Sequence, residues 1–384
     1  MTRHTRRIFF YIGLAIFLLI APLLISYSLG YTLNLSKGIV EKTGGIFIKS
    51  KTPRLSIFLN GQFIKETSYL SGGALLTEIT PGNHRLRLEK TGYHPWSKTI
   101  PVELSVVTDL RNIILIPNPP TLATTTSDEL ANLRIYATQG SFQSVMPKET
   151  MSTPALSSLP SSPLFFLDGK GNLVGKTATT STIFVSRVNS FGVVDDMIYF
   201  IDKNGFLGRI NPLSNEITTI GRPGFYLVEQ PAQFSSSPDG GVIILDASGG
   251  LFLSDGITTI QTITGGVREF SLDNTGQKLL IRKDQSIDIL WLRDNAYQPF
   301  EKRGMRQEIF SSNSLIQDSA WYFDDNAHVV IRLFEGIFFT DIDARDGKNI
   351  FTLFTKKTDE LVTVPQIPAS IFFRREKIFY TISL

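Results

Sequence analysis

Four histidines are the residues through which acid–base or metal chemistry would run in this chain: His4, His84, His94 and His328. A Ser-His-Asp site needs an imidazole that is hydrogen-bonded to a hydroxyl and oriented by a carboxylate. Within residues 131–384 the one histidine is His328, which follows Asp324-Asp325 at the predicted start of a strand. At this position we expect a histidine that is hydrogen-bonded to its neighbours or faces solvent, and we do not expect a catalytic one.

Few residues in the sequence are suited to bind a metal. The absence of Cys excludes thiolate metal sites, Cys nucleophiles and disulfides. His84 and His94 lie in turn-like contexts without nearby carboxylates, and two such histidines make a poor zinc set. Residues 341–347 resemble a calcium loop, but the spacing is wrong by one and Thr352 stands where an EF-hand needs Glu. We interpret the segment as a turn between strands, in which Asp and Gly are common.

No other motif predicts a cofactor or a substrate. No Gly-rich phosphate loop lies between a strand and a helix. The pairs Asp195-Asp196 and Lys356-Lys357 are interpreted as solvated turn charges. Tyr93, Trp96 and Trp291 would form a glycan or peptide platform if they were exposed, although Tyr93 and Trp96 are expected in core or turn packing. The sequence therefore predicts no catalytic, cofactor-binding or metal-binding residue, and no cofactor.

The composition is that of a folded protein rich in strands. Hydrophobic residues make up 42% and charged residues 19% of the 384 positions, which are globular values. The 28 Phe, with abundant Val, Ile and Thr, favour pleated, half-buried surfaces. The net charge of +3 comes partly from Arg3, Arg6 and Arg7, so the rest of the chain is nearly neutral and a nucleic-acid partner is not expected. The length fits two or three domains.

The N-terminal segment has the features of a membrane anchor. A basic head at residues 1–7 precedes about 22 uncharged residues, enough for a helix to cross a hydrocarbon core of roughly 30 Å. We predict a transmembrane signal-anchor over residues 8–30, with the N-terminus cytoplasmic because the arginines precede it. The alternatives are a cleaved signal peptide, whose apolar region is usually shorter, and a buried helix of a soluble protein.

A small domain of short strands is predicted after a polar tether at residues 31–44. Asn60-Gly61 is a strong hairpin signal, because a type I′ turn requires positive φ at both positions. Residues 84–90 alternate between polar and apolar types, which is the pattern of a strand with one buried face. We predict a β-sandwich over residues 45–117, close to the lower size limit for an independent core.

This segment resembles the PEGA domain family. The resemblance rests on Thr52-Pro53, on Ile57-Phe-Leu-Asn-Gly61 and on the run Pro81-Gly-Asn-His-Arg-Leu-Arg-Leu-Glu-Lys-Thr-Gly-Tyr-His-Pro-Trp-Ser-Lys98. The sequence departs from the family after Pro53, where Arg54-Leu55 stand in place of Glu-Gly-Ala. The resemblance implies a small, surface-associated β-sandwich of prokaryotic envelopes, without catalytic residues to carry over.

Beyond a predicted linker at residues 118–130 and a Pro/Ser-rich loop at residues 152–163, the chain repeats itself. An apolar strand, a charged turn with Gly and a second apolar strand recur, with copies that begin at Leu164, Ile198, Val242, Leu279, Val329 and Ile371. The starts lie roughly 34 to 50 residues apart, which is the period of a four-stranded propeller blade with variable loops.

Turns upstream of three copies support a propeller. The segments that begin at Phe234, Phe270 and Trp321 resemble the aromatic-Ser-x-Asp-x-x-Gly turns of TolB-like and WD-repeat propellers. We predict a β-propeller of about six or seven blades over residues 131–384, in which the last copy, at the chain end, closes the ring. An unclosed sandwich or stacked meander is the alternative, although its open edges would need protection.

Taken together, the predicted fold is an all-β ectodomain, a PEGA-like sandwich plus a propeller, behind one transmembrane helix. The predicted function is that of a single-pass membrane protein of a prokaryotic cell envelope, anchored through residues 8–30, with its bulk extracytoplasmic. The propeller would present a binding face to an envelope protein or a cell-wall glycan, and we do not expect an enzyme. The alternative is a propeller-type hydrolase or lyase with a carboxylate-lined channel, which rests on fold analogy.

Overall fold

The computed structural model describes residues 3–28, 31–34, 39–125, 164–176, 180–222, 224 and 232–384. The predicted loop at residues 152–163 lies outside them. The chain begins with a helix, α1 (Arg3–Ser28), which takes in most of the basic head as well as the predicted membrane segment. Residues 4–26 of this helix are long and apolar enough to cross a membrane. The Leu, Ile and Phe side chains at positions 8–20, 24 and 25 are exposed, so the rest of the described protein does not cover them.

A hairpin and seven further strands follow the helix. They are β1 (Tyr31–Asn34), β2 (Ile39–Lys42), β3 (Gly44–Ser50), β4 (Ser56–Leu59), β5 (Gln62–Glu66), β6 (Gly73–Ile79), β7 (Gly82–Glu89), β8 (Trp96–Val102) and β9 (Val107–Ile113). Strands β1 and β2 pair with each other within the predicted tether. The other seven form two sheets, with strand orders β6-β3-β9 and β5-β4-β7-β8, and β3 runs parallel to β9.

The two sheets enclose one apolar core, as the alternating pattern predicts. Ile46 and Ile48 of one sheet and Leu86 and Leu88 of the other are fully buried in this core. The turn at Asn60-Gly61 has the positive φ values, 51° and 85°, that the hairpin prediction requires. The predicted β-sandwich is therefore present.

The second domain is a propeller, built from the remaining strands. They are β10 (Leu122–Thr125), β11 (Leu164–Leu167), β12 (Leu173–Lys176), β13 (Ser181–Val185), β14 (Val188–Val194), β15 (Met197–Asp202), β16 (Leu207–Asn211), β17 (Glu216–Gly221), β18 (Gln233–Ser236), β19 (Val242–Leu245), β20 (Leu251–Ser254), β21 (Ile260–Thr264), β22 (Val267–Leu272), β23 (Lys278–Lys283), β24 (Ser286–Trp291), β25 (Arg306–Ser311), β26 (Asp318–Tyr322), β27 (His328–Leu333), β28 (Gly336–Asp341), β29 (Ile350–Phe354), β30 (Glu360–Thr363), β31 (Ser370–Arg375) and β32 (Ile378–Ser383).

These strands form six antiparallel sheets in the part of the chain that the structure describes. Blade 1 is β11–β13, blade 2 is β14–β17, blade 3 is β18–β21, blade 4 is β22–β25, blade 5 is β26–β29, and blade 6 is β30–β32 with β10. The first strands of successive blades contact each other, β14 with β18 and β26 with β30, which places the first strands at the centre of the ring. The predicted propeller is thus confirmed.

The last blade joins the two ends of the propeller sequence. Leu122 to Thr125 of β10 pair with Ile382 to Phe379 of β32, so an N-terminal strand covers the outer edge of the C-terminal one. Four residues of the segment predicted as a linker, residues 118–130, therefore form a strand of the propeller. An unpaired outer edge would expose a row of backbone donors and acceptors, and β10 satisfies them.

The propeller has two ends that differ in their connections. In a four-stranded meander, the turns between first and second and between third and fourth strands lie at one end, which we call the docked end. The turns between second and third strands and the connections between blades lie at the other, which we call the free end. This division follows from the antiparallel order of the four-stranded blades 2 to 6.

An Asp-centred turn repeats around the ring. In each copy one carboxylate oxygen accepts backbone N–H groups two and four residues further on: Asp168 from Lys170 and Asn172, Asp202 from Asn204 and Phe206, and Asp246 from Ser248 and Gly250. The glycine three residues after each Asp adopts positive φ, between 77° and 88°. The Asp–Gly pattern of the sequence is therefore a turn signal, because Gly takes this conformation without steric cost.

Removal of one such carboxylate tests the role of the repeated turn. Asp246 is 6% exposed and its Oδ1 atom also accepts the Ser248 hydroxyl at 2.8 Å. We expect Asp246→Ala to lower the free energy of unfolding by about 1–3 kcal/mol, since buried N–H groups lose their acceptor. Asp246→Asn, which keeps an amide oxygen in place, should recover most of this loss. Urea unfolding of the full chain in detergent, followed by Trp fluorescence, measures both variants. Equal midpoints for Asp246→Ala and the parent would contradict the expectation.

Candidate functional site

The chemistry-bearing residues of the sequence meet where the sandwich contacts the docked end of blades 4 and 5. A cavity of about 410 Å³ lies at this junction. Its lining includes Trp96 of the sandwich and Trp291, Asp325, His328 and Asp341 of the propeller. Residues that are far apart in the sequence are therefore brought together, and the junction is the candidate site.

A buried ion pair forms the centre of the junction. The side chain of Lys98 is fully buried, and its Nζ atom lies 3.3 Å from Oδ1 of Asp341. The same ammonium group donates to the backbone carbonyl of Asp343. Oδ2 of Asp341 accepts hydrogen bonds from the Trp96 indole at 3.4 Å and from the Asn349 amide at 3.2 Å. Asp341 of the propeller is thus held by two donors of the sandwich and one of its own blade.

The junction also satisfies an open edge of one sandwich sheet. Strand β8 lies at the edge of its sheet. The backbone N–H of Ser97 donates to the Asn349 side chain at 3.4 Å, and that of Thr99 donates to the Asp346 carboxylate at 2.7 Å. The connection between β28 and β29 therefore acts as the missing neighbour of this edge.

The edge of the other sandwich sheet is satisfied in the same way. Strand β9 is that edge. Gln298 accepts a hydrogen bond from the N–H of Asp109 at 2.9 Å and donates one to the carbonyl of Val107 at 3.0 Å. The guanidinium of Arg345 donates to the carbonyl of Asp109 at 3.1 Å. Because both sheets use backbone groups for docking, the sandwich is seated in a defined orientation on the propeller.

His328 is a structural residue of this junction. It is 4% exposed, its Nδ1 atom lies 2.7 Å from Oδ2 of Asp325, and its ring stacks on Phe339 with centroids 4.7 Å apart. Within the described residues no hydroxyl is hydrogen-bonded to the imidazole. The arrangement fixes the ring between a carboxylate and an aromatic face, and it does not form the hydroxyl–imidazole pair of a Ser-His-Asp site.

Trp291 lies under a second buried cation. The Nζ atom of Lys278 is 2.9 Å from Asp273 and lies over the rings of Trp291 and Trp321, at 5.1 and 5.8 Å from their centroids. Trp291 is 5% exposed, and its indole nitrogen has no hydrogen-bond partner among the described residues. Trp96 is 3% exposed and belongs to the sandwich core. Neither indole forms an exposed binding platform.

The other sequence candidates have local partners. The ring of His84 lies 2.9 Å from the Asn60 amide and 2.7 Å from the Thr80 carbonyl, whereas the ring of His94 faces Phe351. In the part of the chain that the structure describes, no group of three or more His, Asp or Glu side chains is suited to bind a metal ion. The carboxylate of Asp195 accepts a hydrogen bond from the Ser236 hydroxyl. Asp195 and Asp196 both have positive φ, as residues of a tight turn do.

The carboxylates of residues 341–347 all bind protein groups. Asp341 pairs with Lys98, Asp343 with Arg345, and Asp346 with the backbone of Thr99. The interpretation of this segment as a turn agrees with the structure, but its contact with the sandwich was missed. One signal for it exists in the sequence: Lys98 occupies an apolar position in the alternation of β8, between Trp96 and Ile100. A charged residue on the buried face of a strand indicates a buried partner.

The ionisation of the junction follows from burial and pairing. Burial raises the pKa of Asp341, and the ammonium of Lys98 opposes this shift only in part. For Asp343 burial acts in the same direction, but the hydrogen bonds from Arg345 and the charge of Lys98 prevail and lower its pKa. Both carboxylates lie within 4 Å of the Lys98 ammonium, yet the pKa of Asp341 is raised and the pKa of Asp343 is lowered.

Carboxylates near the ring centre are paired with arginines. In blades 4, 5 and 6 an acidic residue of the first strand lies opposite an Arg of the second: Glu269 with Arg282, Asp318 with Arg332, and Glu360 with Arg374. Two of these arginines also donate to a carbonyl just before the next blade, Arg282 to Ile316 and Arg332 to Thr358. Each of these two pairs thus links one blade to the next.

Comparison with known proteins identifies the first domain. Residues 43–112 match the PEGA domain family, so the sandwich is a PEGA domain. Its docked propeller makes the chain a two-domain protein in which a PEGA domain and a β-propeller share one polar junction. No curated protein matches the chain.

Solved structures that resemble the chain include several enzymes. The extracellular domain of BT4673 from B. thetaiotaomicron is 13% identical, with a TM-score of 0.32, over 57% of this chain and 31% of its own length. An oligogalacturonate lyase in complex with manganese is 11% identical, with a TM-score of 0.35, over 58% and 74% of the two chains. A streptogramin B lyase is 9% identical, with a TM-score of 0.33, over 57% and 78%. The chain thus spans less than half of the BT4673 domain, and the propeller assignment rests on strand topology.

The buried ion pair can be tested against a surface pair of the same region. We expect Lys98→Met to lower the free energy of unfolding by about 3–5 kcal/mol, because Asp341 is left buried without a cation. Lys348→Met is the matched control: Lys348 lies 3.3 Å from Glu308 with both side chains partly exposed, and its loss should cost less than about 1 kcal/mol. Adding Asp341→Asn to Lys98→Met should recover much of the stability. Equal urea midpoints for Lys98→Met and Lys348→Met would show that the buried ion pair contributes no more to stability than a surface pair.

The pH dependence of Lys98→Met follows from the raised pKa of Asp341. A carboxyl group whose folded pKa lies above its unfolded value contributes stability below the unfolded pKa, and this contribution is lost as pH rises through the folded pKa. Without Lys98 the folded pKa rises further. The difference in free energy of unfolding between Lys98→Met and Lys348→Met should therefore become smaller as pH falls from 7.5 toward about 4, the ordinary pKa of aspartate. Urea midpoints at several pH values measure it, and a constant or growing difference would contradict the assignment.

Proposed function

We propose that this protein is a membrane-anchored, extracytoplasmic binding or scaffold protein of a prokaryotic cell envelope. Helix α1 is the anchor, the PEGA domain is the support, and the propeller presents its free end to a protein or glycan partner. The observation that carries the proposal is the polar junction, since the PEGA domain binds the docked end of blades 4 and 5 through one edge strand of each of its sheets. Among the described residues, the free end is the ring face that points away from this junction.

The free end has the surface of a binding face. Exposed apolar side chains recur there at the connections of blades 4 to 6: Leu315 is 52%, Phe334 63% and Ile378 48% exposed. The ammonium of Lys357 lies 5.1 Å from the centroid of the Phe334 ring. Apolar side chains in charged surroundings suit a partner surface with an apolar centre and a polar rim.

The pairing of the central carboxylates favours binding over catalysis. A hydrolase or lyase with a carboxylate-lined channel would use acidic groups that are available to a substrate or metal. The acidic side chains of the first strands in blades 4 to 6 have arginine partners. The pKa of Asp318 is raised, because the effects of burial and of the nearby Glu269 exceed the opposing effects of Arg332 and Arg282. Two of these three pairs link one blade to the next, and all three carboxylates are engaged by an arginine, so we do not propose an enzyme.

The proposal predicts which substitution weakens partner binding. The full chain, reconstituted in lipid nanodiscs, is used as bait against solubilised envelope proteins and against cell-wall glycan fragments, and a captured partner is purified and titrated. We expect saturable binding that Phe334→Ser weakens about tenfold or more, the loss of one central apolar contact. Leu213→Ser is the matched control, since Leu213 is 91% exposed at the docked end of blade 2.

Two results would overturn the proposal. Equal effects of Phe334→Ser and Leu213→Ser would show that the free end is not the binding face. Turnover of a glycan by the bait, sensitive to Asp318→Asn but not to Phe334→Ser, would favour the hydrolase or lyase.

A further inference from the structure

A second exposed apolar surface lies beside the junction, on the outer side of the PEGA sheet β6-β3-β9. Its PEGA members are Leu75 (45% exposed), Leu104 (53%) and Val107 (47%), and its propeller members are Tyr297 (64%) and Phe300 (67%). A groove of about 430 Å³ runs between the two sets, lined by Leu75, Val107, Tyr297 and Phe300 among others. We call these five residues the lateral patch. They are not part of the free end to which the proposed partner binds.

The lateral patch is held in place by the junction. Gln298, between the two aromatic residues, is hydrogen-bonded to both Val107 and Asp109 of β9. The guanidinium of Arg111 lies over the rings of Phe47 and Tyr297, at 5.8 and 5.5 Å from their centroids. The aromatic side chains are thus fixed outward by specific contacts, with a half-exposed cation beside them. Such cations keep their charge in water while their stems cover apolar surface.

The hairpin β1–β2 brings this region close to the end of the anchor helix. Tyr31 follows Ser28, the last residue of α1, by three positions and pairs with Lys42 across the hairpin. Three extended residues and one strand spacing bring Thr43 within about 20 Å of the helix end. The carbonyl of Thr43 accepts the N–H of Ser105, next to Leu104 of the lateral patch. The patch is therefore tied to the place where the helix ends.

We infer that the lateral patch lies on the outer surface of the same bilayer that α1 crosses, with its apolar side chains in the headgroup region. The inference rests on the proposed membrane anchor. Tyr, Phe and Leu are the residues that favour this interface, and Arg111 can reach lipid phosphates from the edge of the patch. A bilayer fits better than a protein partner because Thr43, within about 20 Å of the helix end, is hydrogen-bonded to Ser105 beside Leu104 of the patch, and lipid is always present at high local concentration near the anchor. The protein is then attached at two points, which sets the tilt of the propeller on the membrane.

Site-specific labelling can test the contact, because the chain has no Cys and a single introduced thiol is labelled uniquely. The full chain is prepared as Leu104→Cys and Phe300→Cys, each carrying an environment-sensitive fluorophore, in phosphatidylcholine vesicles that contain lipids with nitroxide quenchers. Phe334→Cys is the control for an exposed apolar position at the free end, and Ile16→Cys, in the middle of α1, is the control for the anchor.

We expect strong quenching at Ile16 and at least about twofold stronger quenching at Leu104 and Phe300 than at Phe334, whose label should remain in water. Quenching at Ile16 with values at Leu104 and Phe300 equal to that at Phe334 would overturn the lateral contact and leave the anchor intact. No quenching at Ile16 would overturn the anchor and, with it, the lateral contact. A chain carrying Leu104→Glu provides a second measurement: it should reduce quenching of the Phe300→Cys label while that of Ile16→Cys is unchanged.

Discussion

The burial of one ammonium group, that of Lys98, is the constraint on which the arrangement of the two domains depends. A fully buried cation is costly unless it is paired and hydrogen-bonded, and here Asp341 and the Asp343 carbonyl belong to the other domain. Neither domain can leave the other without exposing this pair to water or leaving one charge unpaired. The PEGA domain is therefore a fixed support for the propeller and not a flexible spacer.

Much of the architecture could be predicted from local sequence. The turn at Asn60-Gly61, the alternation of β7 and the Asp–Gly turns each depend on a few neighbouring residues, so their patterns indicate the structure directly. The small domain and the propeller were recognised in this way. The strand at Leu122–Thr125 was not, because it pairs with residues at the far end of the sequence. Leu122–Thr125 is a short segment of weak strand character that follows two prolines, which is the pattern of a linker. Its strand conformation becomes evident from its pairing with β32.

The junction was less predictable for the same reason. His328 was the one imidazole of the propeller sequence, and Trp96 and Trp291 were candidates for a binding platform; all three are buried, which agrees with a structural role. Their meeting at one cavity depends on how two domains dock, which a single sequence does not encode in any local pattern. Gln298 shows the difficulty most clearly. It lies in a long connection of blade 4, and only the structure shows that its amide completes the edge of β9. Lys98, out of place in its apolar alternation, was the one local signal available.

The pairing of β10 with β32 has a consequence for synthesis of the chain. These strands lie roughly 260 residues apart in sequence, and at about 5–20 residues per second the earlier one is made well over ten seconds before its partner. During this interval blade 6 cannot form, and β10 has no strand partner for its backbone donors and acceptors. A chain without β32 would leave β10 unpaired and would expose the edge of β31, so the two ends of the propeller sequence are joined once both strands have been made.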